Sequence, residues 1–264
     1  MKNYSNEYIK YLKSIKDEKR KIILYQVLIF ALFIILWELA ANFKIIDVFL
    51  TSKPSDIFKL FIKFSINGEL FKHIAISVYE TVLGFILGTV GGLIIAIILW
   101  WNKTIAKILD PFLVVLNALP KTALAPILII WAGAGITGIV VIALTISIVI
   151  TILSAYNYFI NVEEEKIKML KSFGANKFQI LTKLILPSNI GNIINIIKIN
   201  IGMSWVGVIV GEFLVSRYGI GYLIVYGGQV FKLDLVMMGV FVLALCALLM
   251  YQIVNIIEKK YKAR

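Results

Sequence analysis

From Thr122 to Val162 the chain reads TALAPILIIWAGAGITGIVVIALTISIVITILSAYNYFINV, 41 residues without one charged side chain. A bilayer core about 30 Å thick is crossed by roughly 20 mostly apolar residues in a helix, so this run is long enough for two crossings. Its middle, Trp131-Ala132-Gly133-Ala134-Gly135-Ile136-Thr137-Gly138, carries glycine at a density that marks a tight turn, and the division falls there. The first crossing is short unless it begins before Pro120. A helix broken at Pro120 is therefore expected, because proline removes a backbone hydrogen bond and clashes with the preceding turn.

Working outward, residues 22–41 form another apolar stretch with Glu38 as its only charge, and residues 81–102 and 235–257 carry none. A sixth span, about 190–213, is interrupted by Lys198. The expected fold is all-α, a polytopic membrane protein with six transmembrane helices. Composition agrees: of 264 residues, 60% are hydrophobic and 16% charged, against roughly a quarter charged in soluble domains, and the mean hydropathy is +0.92. A soluble enzyme, a disordered chain and a disulfide scaffold are excluded. Cys246 and His73 are the only residues of their kinds, so no metal site and no cofactor is expected. A histidine-dependent intramembrane protease has no histidine within its core to use.

The net charge of +12 would suggest nucleic acid in a soluble protein. Here the placement of Lys and Arg decides otherwise. Six spans put both termini on one side, and that side collects 18 of the basic residues, in 1–21, 102–110, 161–187 and 258–264, against seven on the other. The positive-inside rule makes both termini cytoplasmic, with the chain in the plasma membrane and no nucleic acid partner. The first span, preceded by a charged tail, reads as retained rather than as a signal peptide. Four regions follow: a cytoplasmic N-terminal tail (1–21), the first span and external loop (22–74), a core (75–257) and a C-terminal tail (258–264). Within the tail, Tyr4, Tyr8, Tyr11, Leu12 and Ile15 share a helical face, the pattern of a helix lying on the membrane surface. Residues 54–64 suggest a second interfacial helix begun by Pro54. Trp100-Trp101 reads as a membrane-boundary anchor, and Glu38, Glu80 and Glu212 lie near span ends.

The one long cytoplasmic loop, 161–187, is too polar to span and too patterned to be a linker. Asn161 is a candidate N-cap with Glu164 at the capping-box position. Glu163, Glu164 and Glu165 suit a first turn, where the helix dipole favours negative charge. Ile167, Leu170 and Phe173 make an apolar stripe beside Lys168 and Lys171, and Gly174 stops the helix. A second segment from Asn176 carries Phe178, Leu181 and Leu184 to Pro187. Such a ridge either docks a partner or packs on its own spans.

Ser172-Phe173-Gly174-Ala175-Asn176-Lys177-Phe178-Gln179 followed by Leu184-Ile185-Leu186-Pro187 resembles the cytoplasmic coupling loop of bacterial ABC-importer permeases. Ser77-Val78-Tyr79-Glu80-Thr81-Val82-Leu83-Gly84-Phe85, Leu109-Asp110-Pro111-Phe112, Leu119-Pro120-Lys121-Thr122-Ala123-Leu124-Ala125-Pro126 and Gly211-Glu212-Phe213 through Gly219-Ile220-Gly221 resemble the nitrate/sulfonate/taurine-type branch. The similarity covers about residues 45–258. The family's Glu-Ala-Ala triplet aligns with Lys168-Met169-Leu170, Glu80 stands where many relatives have Arg, and Lys198 replaces a usual Arg.

The resemblance implies a type I ABC-importer permease fold and a transporter subunit rather than an enzyme. Two such subunits, identical copies in the simplest case, would form the pathway, with two copies of a cytoplasmic ABC ATPase and an extracytoplasmic solute-binding protein. The solute would be small and chiefly anionic: a sulfonate, nitrate, taurine, bicarbonate or a vitamin precursor. The chain has no phosphate-binding loop of its own, so ATP would act through the partner. The coupling set implied is Glu164, Glu165, Lys168, Leu170, Phe173, Gly174, Ala175, Phe178, Leu186 and Pro187. In the fifth span, Ser188, Gly191, Asn192, Asn195, Lys198 and Gly202 recur at helical spacing, and polar groups at membrane depth normally turn inward or toward water. Asn192, Asn195, Lys198, Ser204 and Glu212 are the candidate pathway residues, with close helix packing as the alternative reading and an acid such as Glu212 as a possible partner for Lys198. A secondary transporter is the rival function, for which internal repeats and ion-coupling residues would be the marks.

Overall fold

The computed structural model describes residues 6–262, which form helices and turns and no strand. Two compact units divide the chain after Lys63.

In the first unit, α1 (Asn6–Asn42) is a single helix of 37 residues. The surface helix expected over residues 4–15 is not a separate element. From Asn6 onward it continues into the first span, because neither glycine nor proline interrupts residues 6–42. Tyr4 lies outside the described residues. A single turn, α2 (Val48–Thr51), is capped by Asp47, whose carboxylate accepts the Phe49 N–H at 2.8 Å. The expected helix at Pro54 is α3 (Pro54–Ile66). Glu38 accepts the Ser55 N–H at 3.0 Å and its hydroxyl at 2.9 Å, so it ties the end of α1 to the start of α3.

The second unit begins with α4 (Glu69–Trp101) and α5 (Lys103–Ala118), separated by Asn102, whose side chain accepts the N–H groups of Thr104 and Ile105. Residues 102–110, read from the sequence as a loop, are mostly helical. The expected break at Pro120 is present. There a 3₁₀ turn (Lys121–Leu124) leads into α6 (Ala125–Ala132), and the axis bends by 88°. Gly133 and Gly135, at φ +86° and +106°, make the turn into α7 (Ile136–Ile160). The polar loop holds α8 (Glu164–Ser172), α9 (Lys177–Ile180), one π turn (Leu181–Ile185) and α10 (Leu186–Ser188). Then come α11 (Ile190–Val215), α12 (Ile220–Gln229) and α13 (Leu233–Lys262). Among the described residues, α1, α4, α7, α11 and α13 are long and apolar enough to cross a membrane, and the count reaches six when the bent pair α5–α6 is taken as one broken span. The helix α12 lies between the expected spans 190–213 and 235–257, where the sequence marks no element.

The packing of α4 on α7 follows from small residues four apart. Gly84, Gly88 and Gly92 oppose Ala143, Ser147 and Thr151, and a Cβ at Gly84 would come 2.5 Å from that of Ala143. On α11, Gly207 is as close: its Cβ would stand 2.5 Å from the Cα of Ala143. In lipid, where water does not drive helices together, such backbone approach is the main source of attraction. One polar node pins the three helices. The Asn200 amide donates to Thr89 Oγ1 at 2.9 Å and to Thr151 Oγ1 at 2.6 Å, fully buried.

Candidate functional site

Two built features stand at opposite ends of α4. The first is the loop between α7 and α11. Asn161 is not the N-cap expected of it; its N–H bonds back to Asn157 and closes α7. Glu163 takes the N-cap position and Glu164 and Glu165 the first turn, since Asn161 and Val162 are needed to turn the chain. At the other end of α8 the expected glycine stop is found. Gly174 has φ +80°. The Ala175 N–H bonds to Leu170 O at 3.0 Å and the Gly174 N–H to Lys171 O at 2.9 Å, the paired bonds of a Schellman motif. Asn176 then starts α9 through a capping box with Gln179. The elbow is thus fixed from both sides within three residues.

The apolar stripe of α8 divides between the two readings open in sequence. Ile167, Leu170, Ala175 and Leu186 pack inward on a cluster containing Ala96, Phe159, Ile185 and Ile196, so part of the ridge belongs to the spans. Phe173, 80% exposed, and Phe178 point away, joined by Met169. Glu164 and Lys168 form an exposed pair at 3.2 Å, while Glu165, Gly174 and Pro187 are open to the surroundings. The loop is also clipped to α4. Lys177 Nζ donates to the Trp101 carbonyl and lies 5.9 and 5.3 Å from the ring centroids of Trp100 and Trp101. The last carbonyls of a helix lack partners within it and carry its negative dipole end, which is why a lysine suits that spot. Lys177 stood in the sequence motif without an assigned role.

The second feature joins α4, α11 and α12 at the far end. Glu212, near a span end in sequence, is fully buried rather than interfacial. Its carboxyl accepts the Ser77 hydroxyl at 2.5 Å and the Gly221 N–H at 2.5 Å, so a side chain from α11 caps the first turn of α12. A Cβ on Gly219 or Gly221 would collide with that carboxyl, which explains why glycines flank Ile220. Ser77 Oγ accepts the Ile220 N–H at 2.7 Å, and His73 Nδ1 accepts the Gly219 N–H at 2.9 Å. Glu80, 1% exposed, lies against Glu212, and its Oε2 has no hydrogen-bond partner among the described residues. Ser77-Val78-Tyr79-Glu80 and Gly211-Glu212 through Gly221, distant in sequence, are two halves of one junction.

The candidate pathway residues occupy different faces of α11. Asn195 is exposed and Asn192 half-buried, the latter donating to Asn189 Oδ1 at 2.9 Å. Gly191 and Gly202 border open space and so are not the close-packing glycines. Ser204 and Glu212 lie on the packed face, and Ser204 Oγ has no partner among the described residues. Lys198 does not pair with Glu212. It forms an ion pair with Glu258 near the end of α13, with its ammonium 5.5 Å from the Tyr251 ring centroid.

The fold is that of a polytopic integral-membrane protein, and its relatives give the functional class, a transport subunit rather than an enzyme. The family profile described as "Binding-protein-dependent transport system inner membrane component" matches residues 88–263, and the chain belongs to that family. It is 29% identical over 231 residues to the putative aliphatic sulfonates transport permease protein SsuC of Bacillus subtilis, covering 87% of this chain and 83% of that one. It is 23% identical over 225 residues to the taurine transport system permease protein TauC of Escherichia coli, covering 83% and 82%. These are relatives of the branch expected from the sequence motifs. Among solved structures, the inward-facing MetNI methionine ABC transporter matches with a TM-score of 0.59 at 15% identity, over 72% of this chain and 98% of that one, which bears out the type I importer fold.

Proposed function

We propose that this chain is the membrane half of an ATP-driven importer of a small organic or inorganic anion, with α8–α10 as the lever on which a cytoplasmic ATPase acts. The observation that carries this reading is the two-sided packing of the lever. Ile167 and Leu170 bind it to the spans, while Met169, Phe173 and Phe178 stand exposed on the other side. A short element fixed to the bundle on one face and apolar on the other transmits a partner's displacement as a rigid body. Two copies of the chain enclose the pathway, with the open face of α11 around Asn192 and Asn195 toward it, and each copy engages one ATPase. Both termini lie in the cytoplasm, in keeping with the lysine bias, and an extracytoplasmic binding protein delivers the solute. Relatives named for aliphatic sulfonates and taurine support a sulfonate-type solute.

The test is reconstitution in proteoliposomes with the cytoplasmic ATPase and the binding protein that this reading requires. Uptake of a radiolabelled sulfonate should require ATP inside and the binding protein outside. Phe173→Asp should abolish co-purification of the ATPase while leaving the permease monodisperse. Uptake driven by a proton gradient with no ATPase would overturn the reading.

A further inference from the structure

At the end of α4 away from the lever, a cup of about 480 Å³ opens beside the Glu212 junction, within the size range of small-ligand sites. Its wall is a row of rings. His73 stacks on Tyr222 (6.0 Å between centroids, 5° between planes), and Tyr222 on Tyr226 (5.8 Å, 18°). Tyr218 is tilted against His73, with centroids 6.0 Å apart and 46° between planes. The wall is held from behind, since His73 Nδ1 is engaged by Gly219, which leaves Nε2 as the nitrogen available to a ligand. Lys72, placed over the Tyr218 ring at 3.8 Å, and Arg217 stand at the cup, and neither forms an ion pair with a carboxylate among the described residues. Glu69 is the only acid among the described residues that line it.

We propose that this cup is a binding site for a flat organic monoanion, a carboxylate or a sulfonate. The rings have much of their faces engaged with one another and with Lys72, so it is as an aromatic wall that they offer a planar apolar body contact area. Two cations against one acid leave a single net positive charge, which suits one negative charge and disfavours two. The guanidinium and ammonium supply charge-assisted donors, and the tyrosine hydroxyls and His73 Nε2 add orientation. The site needs no second copy of the chain and no ATPase, so it is separable from the transport reading above.

The test is saturation-transfer NMR and calorimetry on the full chain in lipid nanodiscs, with benzoate as probe and the neutral isostere benzamide as control. Benzoate should bind, and benzamide should bind at least about tenfold more weakly, in keeping with the loss of a charge-assisted contact. Lys72→Gln/Arg217→Gln, two exposed positions, should weaken benzoate by a similar factor, and Tyr222→Leu should do so without changing the charge. Three results would overturn the proposal: no benzoate binding at millimolar concentration, binding unaltered in the double variant, or protection of Lys72 from amine labelling by an extracytoplasmic protein and never by benzoate. The last would make the cup a socket for a protein side chain.

Discussion

Ser77 and Glu212, 135 positions apart, meet through a 2.5 Å hydroxyl-to-carboxyl hydrogen bond in the buried interior of the second unit. The same two side chains also take up the N–H groups of Ile220 and Gly221. A helix start that would otherwise bury bare donors is satisfied by residues from two other helices, so α4, α11 and α12 stand or fall together there.

Replacing Glu212 with Ala leaves the Ser77 hydroxyl and the Gly221 N–H buried and without their acceptor. The expected loss is about 2–5 kcal/mol, the cost of breaking a buried charged hydrogen-bond network, read as a lowered unfolding midpoint in detergent. Glu80→Gln is expected to be tolerated, because it keeps the shape of a carboxyl pair and relieves the repulsion that two buried carboxylates would feel. A Glu80→Gln protein as unstable as Glu212→Ala would refute this account of the pair.

The glycines of the bundle separate into two behaviours. Gly84→Val and Gly207→Val insert atoms where a Cβ alone would already come within 2.5 Å of Ala143, and overpacking of this kind costs about 1–3 kcal/mol or more. Gly191→Ala borders open space and should leave monomer stability unchanged or slightly raised. Yield of monodisperse protein after heating distinguishes them.

Lys177→Ala removes the clip between α9 and the end of α4. The expected protein inserts and binds its ATPase but wastes hydrolysis, so ATP consumed per solute imported rises severalfold. Lys177→Arg, which can still reach the Trp101 carbonyl and the two indole rings, should restore much of the coupling. Unchanged stoichiometry in the alanine variant would remove the clip from the mechanism.

Lys198→Glu places an acid opposite Glu258 and should destabilise the contact of α11 with α13. Combining it with Glu258→Lys exchanges the charges and should recover stability, which a thermal-shift series reads directly. Failure of the exchange would mean that the pair depends on more than its opposite charges.

The spans are legible because each is a long uninterrupted apolar run, and the turns at Gly133–Gly135 and Gly174 because the signal is local: a few residues in a left-handed conformation. The lever's caps are local too, apart from Asn161, where a good capping residue served the preceding helix instead. The junctions are not legible in this way. Glu212 caps α12 from another helix, so nothing adjacent to Ile220 announces a helix start, and the sequence marks no element over residues 214–232. Asn195 and Asn200 are the same residue type on the same helix. Five positions carry the chain about 140° past a common face, which puts one in the open and the other between Thr89 and Thr151. Sequence spacing shows that they differ in direction, but only tertiary packing shows which of them is buried. The split of Ile167 and Leu170 from Phe173 has the same origin, as the apolar stripe was wide enough for two surfaces.

The helix α4, with 33 residues, spans about 50 Å at 1.5 Å per residue. Trp101 at one tip is gripped by Lys177 of α9, and His73 and Ser77 near the other take up the N–H groups of Gly219 and Ile220, where α12 opens. On the coupling proposed above, an axial slip of this one strut reaches the aromatic cup without a joint between. On that reading the cup and the ATPase dock share a single connecting rod, and a molecule wedged in the first would bear on the second.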